Sequence, residues 1–172
     1  MLKVFLKEDE RKFAMRVGIG YDIHKLSKEE DLVLGGINIP HSKGLVGHSD
    51  ADVLVHALID ALLGAAGLGD IGSHFPDNDQ QYKNISSLIL LEKTVDLLME
   101  RKYNINNVDL IIIAEKPKIS TYKDEIISNM RRVMELEVDD INLKATTAEG
   151  LGFVGREEGI AAKAIVSLKN SR

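Results

Sequence analysis

The sequence predicts a single α/β domain, an α+β sandwich in which helices pack on one face of a mixed β-sheet. One observation behind this fold class is the order of segments along the chain: strand, helix, helix, strand, helix, strand, strand. The other is composition, because 172 residues with 44% hydrophobic and 28% charged side chains can bury one ordinary core. With only 5% aromatic residues, that core must be aliphatic.

The first half of the chain contains two predicted strands, one helix and a long loop. Strands are predicted at Arg16–Asp22 and at Leu32–Ile39, the second interrupted by Gly35–Gly36. Asp50–Ala65 is predicted to be helical because it is rich in leucine and alanine and contains no proline. Gly67–Tyr82 is rich in glycine and aspartate and is long for a simple connection, so we expect it to have a function.

The second half of the chain supplies the remaining helices and strands. Ser86–Lys102 and Tyr122–Glu135 carry apolar residues three and four positions apart, which indicates amphipathic helices. Strands are predicted at Val108–Ala114, an aliphatic run, and at Ile141–Thr146. In Gly159–Lys169 apolar residues occupy every second position, as in a strand with one buried face.

Charge and cysteine content exclude several classes of function. The chain has a formal net charge of −5 and no cysteine, which rules out thiol nucleophiles, cysteine zinc sites and a disulfide scaffold. The acidic surplus disfavours a nucleic-acid-binding protein, which needs a basic patch. No run approaches the roughly 20 apolar residues of a membrane span, so we expect no membrane partner.

The first 14 residues are predicted to be an extension to a domain that covers residues 15–172. They are short and mixed in charge, and they include Glu8, Asp9 and Glu10. A signal peptide needs an uninterrupted apolar stretch and a transit peptide is poor in acids, so the segment fits neither. We therefore expect a cytoplasmic protein.

Three residues have the chemistry of a zinc site. Asp22 and His24 stand two positions apart on an extended segment, so their side chains point to the same side. His56 follows one turn into a predicted helix, where an amphipathic pattern gives no reason for a histidine. Asp and His are zinc ligands, and three of them with one open position describe a catalytic site. The alternative for Asp22 and His24 is an ordinary pair at a strand end.

The residues around His56 have structural interpretations as well. Ser49 followed by Asp52 resembles a capping box at the start of the helix. Asp52, His56 and Asp60 are spaced four apart and share one helix face. Because a metal-bound histidine usually donates its second ring N–H to a carboxylate, either Asp52 or Asp60 is a candidate acceptor.

Three segments in the second half have features of a phosphate site. Thr146 and Thr147 offer hydroxyl and N–H groups to an oxyanion, and Glu149 could hold a hard cation such as Mg²⁺. The alternative is a helix N-cap with an acid in the first turn. Arg156, in the glycine-rich Gly150–Gly159, could grip a phosphate, or it could pair with a neighbouring glutamate. Lys116-Pro-Lys118 follows a predicted strand, and α/β sheets commonly bind ligands at the carboxyl ends of their strands. The alternative for this segment is a solvated turn.

The chain resembles one enzyme family over essentially all of residues 15–172. The motifs that carry the resemblance are GIGYDIH, LGGINIP, KGLVGHSDADVLVHALIDALLGA, LGDIGSHFPD, AEKPK and KATTAEGLGFVGREEGIA. They resemble those of 2-C-methyl-D-erythritol 2,4-cyclodiphosphate synthase, from the non-mevalonate isoprenoid pathway. Ala51 departs from the glycine of many members, and Ala148 from a residue that is often polar.

The resemblance implies a homotrimer with active sites between neighbouring subunits. The implied zinc ligands are Asp22, His24 and His56. It implies that His48 and Thr147 position phosphates and stabilise the transition state. Glu149 matches the ligand of a second divalent ion, Mg²⁺ or Mn²⁺, at the substrate diphosphate. Phe153 and Arg156 match positions near the trimer axis, beside a cavity able to hold an isoprenoid diphosphate.

The resemblance also implies two sets of substrate contacts. The residues matching those around the methylerythritol phosphate are His48, Ser49, Asp70, Ile71, Gly72, Phe75, Pro76, Asp77, Asn78 and Asp79. Substrate contacts are implied for Asp22, Ile23 and His24 as well. The residues matching those around the cytidine and the diphosphate are Ala114, Glu115, Lys116, Pro117, Lys118, Ile119, Ser120, Thr146, Thr147, Ala148 and Glu149. The second set comes from the adjacent subunit.

The implied reaction is a cyclisation that releases CMP. The substrate is 4-diphosphocytidyl-2-C-methyl-D-erythritol 2-phosphate, whose 2-phosphate attacks the β-phosphate to form 2-C-methyl-D-erythritol 2,4-cyclodiphosphate. A zinc-dependent phosphodiesterase or phosphatase would use the same three metal ligands and is the alternative. A non-enzymatic binder of prenyl diphosphates would leave Asp22, His24 and His56 without a role.

Overall fold

A computed structural model describes residues 15–171, so the predicted extension at residues 1–14 lies outside the described residues. A five-stranded sheet is ordered β4-β1-β7-β5-β6, with only β5 and β6 parallel, and β2 and β3 form a separate hairpin. The strands are β1 (Arg16–Ser27), β2 (Val33–Leu34), β3 (Ile37–Asn38), β4 (Gly44–Val46), β5 (Tyr103–Ile113), β6 (Ile141–Thr146) and β7 (Gly159–Asn170).

Helices cover one face of this sheet, as predicted. The helices are α1 (Val53–Ala66), α2 (Ile71–His74), α3 (Ser87–Glu100), α4 (Lys123–Met134) and α5 (Gly152–Gly155). Helix α1 packs against β1 and β7 and is buried along most of its length, while α3 packs on α1 and α4 packs on α3. The mixed sheet with helices on one face is therefore confirmed. No helix within residues 15–171 combines the length and the apolar character needed to cross a membrane.

Element boundaries differ from the predictions where tertiary pairing decides them. The first strand continues to Ser27 because its second half pairs with β4 on one side and with the start of β7 on the other. Strand β4 has only three residues, too few for a periodic pattern, and was not predicted. The long loop Gly67–Tyr82 contains α2 and a 3₁₀ turn at Gln80–Tyr82.

The start of α1 is capped by a different residue from the one predicted. The Asp52 carboxylate accepts the Val55 N–H at 3.2 Å, so Asp52 is the N-cap and the capping box at Ser49 is wrong. Ser49 instead accepts the N–H of Ala51 at 3.3 Å. Ala51 adopts a left-handed φ of 56°, a conformation that glycine adopts without strain, which gives a physical reason for the glycine of other members.

Helix α1 approaches β1 more closely than any side chain on the strand would allow. A Cβ atom at Gly20 would lie 1.9 Å from the Ala57 carbonyl oxygen, and one at Gly18 would lie 2.0 Å from that of Ala61. Glycine at both positions therefore lets the helix backbone rest directly on the strand. The same side of β1 continues through Asp22 and His24, so this contact sets the distance between the strand and the residues of α1.

The other face of β1 is apolar and exposed in the single chain. Val17, Ile19, Tyr21 and Ile23 alternate with the helix-facing residues and keep between 41% and 69% of their surface exposed. Ile165 on the neighbouring β7 is 49% exposed on the same face. A contiguous apolar sheet face of this kind marks an interaction surface.

Two glycine substitutions test the close contact between α1 and β1. Gly20→Ala is expected to lower the free energy of unfolding by about 1–3 kcal/mol, because its methyl group overlaps the α1 backbone. Gly64→Ala, on the exposed side of the same helix, meets no atom within 4 Å and is expected to raise it by about 0.5–1 kcal/mol. Urea denaturation of the two variants measures both effects. Equal stability of the Gly20→Ala variant and the unaltered protein would contradict the packing argument.

Candidate active site

The three predicted metal ligands meet where β1 passes under α1. Asp22 Oδ2 lies 3.1 Å from His24 Nδ1 and 3.2 Å from His56 Nδ1. The three ligand atoms all lie within 4.8 Å of one another, and the two imidazole rings are 5.0 Å apart between centroids. The side chains are mostly buried, with exposed fractions of 25% for Asp22, 15% for His24 and 12% for His56. The predicted grouping of these residues is confirmed.

The spacing and chemistry of this triad fit a zinc-sized cation. Tetrahedral zinc with bonds of about 2.0–2.1 Å places its ligand atoms about 3.3 Å apart. Both contacts of Asp22 are close to that separation. His24 Nδ1 is buried and has no hydrogen bond, since its 3.1 Å approach to Asp22 lacks hydrogen-bond geometry. A buried nitrogen lone pair without a donor, beside a carboxylate, is suited to a metal.

The two imidazoles keep Asp22 in the form that binds cations. Burial alone would raise the pKa of the Asp22 carboxyl, but a hydrogen bond with His56 and the electrostatic attraction of both the His24 and His56 imidazoles hold it well below its usual range. Asp22 is therefore ionised throughout the neutral range, and it supplies the negative charge among the three ligands.

The second ring nitrogen of His56 does not contact a carboxylate. His56 Nε2 lies 2.9 Å from Ser87 Oγ and 3.0 Å from Ser49 Oγ. The prediction that Asp52 or Asp60 accepts this N–H is therefore wrong. Ser87 was missed because it belongs to α3, and nothing in its local sequence pattern places it beside His56.

Asp52 and Asp60 instead stabilise the backbone of neighbouring segments. Asp52 Oδ2 accepts the Gly36 N–H at 2.7 Å, and burial raises the pKa of this carboxyl to about 6, opposed by that hydrogen bond. Asp60 Oδ1 accepts the N–H of Ile71, the first residue of α2, at 2.8 Å. Each carboxylate thus ties a loop to α1: Asp52 holds the β2–β3 hairpin and Asp60 holds the loop that contains α2.

A pocket of about 490 Å³ opens beside the triad. The predicted substrate residues that line it are Asp22, His24, His48, Ser49, Ile71, Gly72, Phe75, Pro76, Asp77 and Asn78. The structure adds residues that were not predicted: Gly47, Asp60, Tyr82 and Leu90 also line it. Tyr82 stands edge-on to Phe75 at 5.5 Å between ring centroids, a contact that sequence alone does not reveal.

Three predicted residues of this set do not line the pocket. Ile23 points to the opposite, exposed face of β1. Asp70 caps α2 by accepting the N–H and the hydroxyl of Ser73, and Asp79 caps the following 3₁₀ turn. The carbonyl oxygen of Asp79 lies 3.3 Å from His48 Nε2, so Asp79 touches a pocket residue through its backbone.

A second pocket, of about 440 Å³, lies at the carboxyl ends of the parallel strands β5 and β6. The predicted residues that line it are Ala114, Glu115, Pro117, Lys118, Ile119, Ser120, Thr146 and Thr147. Ala145 was not predicted and lines it too. Its position at the end of adjacent parallel strands is typical of ligand sites in α/β sheets.

The remaining predicted residues of the second half do not line this pocket. Lys116 forms an ion pair with Glu157 at 2.9 Å, and Arg156 forms two hydrogen bonds of 2.9 Å to Glu158. Ala148 and Phe153 line a separate recess of about 240 Å³. Glu149 lies outside the triad, and its Oε1 accepts the Thr147 hydroxyl at 2.6 Å.

The two main pockets share no residue within one chain. His48 lines the pocket beside the triad, whereas Thr147 lines the pocket at β5 and β6. The two residues predicted to act on the same phosphates are therefore not brought together by the described part of a single chain.

Comparison with known proteins identifies the family. The sequence pattern of the YgbB family matches residues 15–169. A 2-C-methyl-D-erythritol 2,4-cyclodiphosphate synthase from Clostridium botulinum (strain Kyoto / Type A2) is 58% identical over 154 residues, which cover 90% of this chain and 99% of that protein. The chain belongs to the YgbB family. The resemblance predicted from its motifs, and the enzyme class that the resemblance implied, are thereby confirmed.

Solved structures of YgbB relatives share the fold. The bifunctional IspDF from Campylobacter jejuni has a TM-score of 0.88 and 43% identity, and it aligns over 92% of this chain and 43% of that longer chain. The CDP complex of IspF from Plasmodium falciparum has a TM-score of 0.81 and 36% identity over 92% of this chain and 98% of that chain. At these sequence identities the likeness covers the amino-acid sequence as well as the arrangement of strands and helices.

A substitution at Asp60 tests how this YgbB family member holds its pocket loop. Asp60→Ala removes the acceptor of the Ile71 N–H, so amide hydrogen exchange of Ile71 is expected to accelerate by an amount equivalent to about 1–3 kcal/mol. Asp60→Asn keeps an oxygen acceptor and serves as the control. Unchanged exchange at Ile71 in the Asp60→Ala variant would show that the carboxylate does not hold the loop.

Proposed function

We propose that this chain converts 4-diphosphocytidyl-2-C-methyl-D-erythritol 2-phosphate into 2-C-methyl-D-erythritol 2,4-cyclodiphosphate and CMP. The observation that carries the proposal is the Asp22, His24 and His56 triad at the edge of a pocket, in a chain of this family. An oxygen of the 2-phosphate forms a bond to the β-phosphorus, and the bond from that phosphorus to the oxygen shared with the α-phosphate breaks. The electron pair leaves with CMP, so neither water nor a protein nucleophile is consumed.

Two cations complete the proposed site. Two imidazoles and one carboxylate are a ligand set typical of catalytic zinc, and zinc held there would supply Lewis acidity and a template for the phosphates. Glu149 offers exposed carboxylate oxygens, the ligands that Mg²⁺ or Mn²⁺ prefers at a diphosphate. The zinc assignment gives a named metal to the triad seen in the structure, and the assignment at Glu149 adds a second cation outside the triad.

The side chains of the chain itself bind and orient the phosphates. In this proposal His48 and Thr147 donate hydrogen bonds where negative charge shifts between the phosphates. Lys118 and Ser120 line the second pocket, which offers a cation and a hydroxyl to an anionic nucleotide. Holding the 2-phosphate beside the β-phosphate makes the reaction intramolecular, and effective molarities of about 10⁵ M or more are reached in this way.

The second pocket is the proposed site for the cytidine nucleotide. The P. falciparum relative has been solved as a CDP complex, which supports a cytidine diphosphate ligand for this chain as well. The predicted contacts of Ala148 and Glu149 with that ligand remain predictions, as does the role of Phe153 and Arg156 beside an axial cavity. The extension at residues 1–14 and the cytoplasmic location also remain predictions.

We further propose that three copies of the chain assemble around the exposed face of the sheet. Val17, Ile19, Tyr21 and Ile165 form an apolar surface that water would otherwise cover. Assembly also provides a reason for the separation of the two pockets, because the pocket with His48 on one copy can meet the pocket with Thr147 on its neighbour. These two features together support the proposed homotrimer with sites between subunits.

Incubation of the purified protein with the cytidyl substrate tests the reaction. The expected products are CMP and a cyclic diphosphate, formed only when chelator is absent. His56→Ala is expected to lose bound zinc by metal analysis and to lower turnover by about 10³-fold or more. His41→Ala is the control, since His41 lines neither of the two pockets.

Two outcomes of that experiment would contradict the proposal. Full zinc content in the His56→Ala variant would remove His56 from the ligand set. An open-chain phosphate that carries oxygen from solvent would identify a phosphodiesterase or phosphatase instead of a cyclase.

Light scattering after size-exclusion chromatography tests the assembly. The unaltered protein is expected to have the mass of three copies of the 19.0 kDa chain. Ile19→Glu places a charge on the exposed sheet face and is expected to give monomers. Ile89→Glu is the control. Ile89 is 43% exposed, but it belongs to α3 and so lies on the side of the sheet that the helices cover. A trimer in the Ile19→Glu variant would place the interface elsewhere.

A further inference from the structure

Ser87 links the metal ligand His56 to a carboxylate. Ser87 is fully buried at the first residue of α3, and its Oγ lies 2.9 Å from His56 Nε2. The Ser87 hydroxyl donates a short hydrogen bond to Asp50 Oδ1. The Ser87 backbone N–H donates to the other carboxylate oxygen, Asp50 Oδ2, at 2.9 Å. A continuous chain of contacts thus runs from His56 through Ser87 to Asp50.

The direction of the hydrogen bonds in this chain follows from the chemistry of its members. An ionised carboxylate only accepts hydrogen bonds, so the single hydroxyl hydrogen of Ser87 points to Asp50. Ser87 Oγ then has only lone pairs to offer His56 Nε2, and that nitrogen must carry the hydrogen. A hydrogen on Nε2 frees the lone pair of Nδ1 for a metal, whereas in the metal-free protein Asp22 Oδ2, 3.2 Å from Nδ1, competes for a hydrogen on that nitrogen.

We propose that Ser87, held by Asp50, is a positioning residue that fixes the His56 ring with its hydrogen on Nε2 and its free lone pair on Nδ1. This inference rests on the proposed function only in taking Nδ1 as the metal-binding atom. A ligating histidine usually donates its other N–H directly to a carboxylate or carbonyl, and the contact fixes ring orientation and tautomer. Here the serine hydroxyl transmits that constraint from Asp50.

Ser49 cannot replace Ser87 in this arrangement. Its Oγ lies 3.0 Å from His56 Nε2 and 3.3 Å from Ser87 Oγ, so it adds a second acceptor near the same N–H. The other bond of Ser49 is from the backbone N–H of Ala51, which leaves its hydroxyl hydrogen free to turn. Of the two serines, only Ser87 donates its hydroxyl hydrogen to a carboxylate, that of Asp50, and so has only lone pairs to offer His56.

Zinc affinity of the full-length protein, measured by competition with a chromogenic chelator, tests the inference. Ser87→Ala is expected to weaken zinc binding about 10–100-fold. Asp50→Asn is expected to weaken it as well, because the amide can donate to Ser87 Oγ and turn the hydroxyl towards His56. Ser86→Ala is the matched control: this adjacent serine makes no side-chain capping bond, and its variant should bind zinc like the unaltered protein.

The ring ¹⁵N chemical shifts of His56 in metal-free protein at alkaline pH give a readout that does not depend on zinc. The unaltered protein and the Ser86→Ala variant are expected to share one ratio of the two ring tautomers, and the Ser87→Ala variant is expected to shift that ratio towards hydrogen on Nδ1. Equal zinc affinity of Ser87→Ala and unaltered protein, or the same tautomer ratio in these two proteins, would overturn the inference. Failure of the unaltered protein to bind zinc would refute the proposed metal, while the ring shifts would still decide the role of Ser87.

Discussion

The direct contact between the backbones of β1 and α1 is the constraint on which the rest of the structure depends. Gly18 and Gly20 allow the helix to lie directly against the strand. A Cβ atom at either position would lie about 2 Å from a carbonyl oxygen of the helix. Gly20 faces the carbonyl oxygen of Ala57, and His56 is the residue just before Ala57 on the helix. Asp22 is the next residue after Gly20 on the same side of the strand. Backbone packing thus determines the 3.2 Å between Asp22 Oδ2 and His56 Nδ1.

Strand β1 serves two purposes because its side chains alternate between two environments. On one side, glycines are followed by Asp22 and His24 of the triad. On the other side, Val17, Ile19 and Tyr21 form an apolar face that is exposed in the single chain. Since the strand period is two, a one-residue shift in register would exchange the two sets and destroy both the site and the surface. The long pairing with β7 fixes this register over ten residues, from Arg16 to Lys25.

The sequence was sufficient to predict the ligand triad, because strand alternation and residue chemistry are local properties. It was not sufficient to predict the contacts that orient the triad. Helical spacing places Asp52 and Asp60 on the same face as His56, but spacing does not reveal that Gly36 and Ile71 occupy their carboxylates. Ser87 lies 31 residues from His56, and only the packing of α3 on α1 brings it within hydrogen-bonding distance.

The second pocket is shaped by a strained turn that neighbouring groups hold in place. Glu149 has a left-handed φ of 53°, a conformation that costs a non-glycine residue about 1–3 kcal/mol. Glu115 Oε1 accepts the N–H of Ala148 at 2.9 Å and of Gly150 at 3.2 Å, on either side of the strained residue. Because these bonds fix the backbone on both sides, the Glu149 carboxylate and the Thr147 hydroxyl are oriented before any ligand binds. A pocket prepared in this way loses little conformational entropy when a ligand enters, and this preorganisation favours binding.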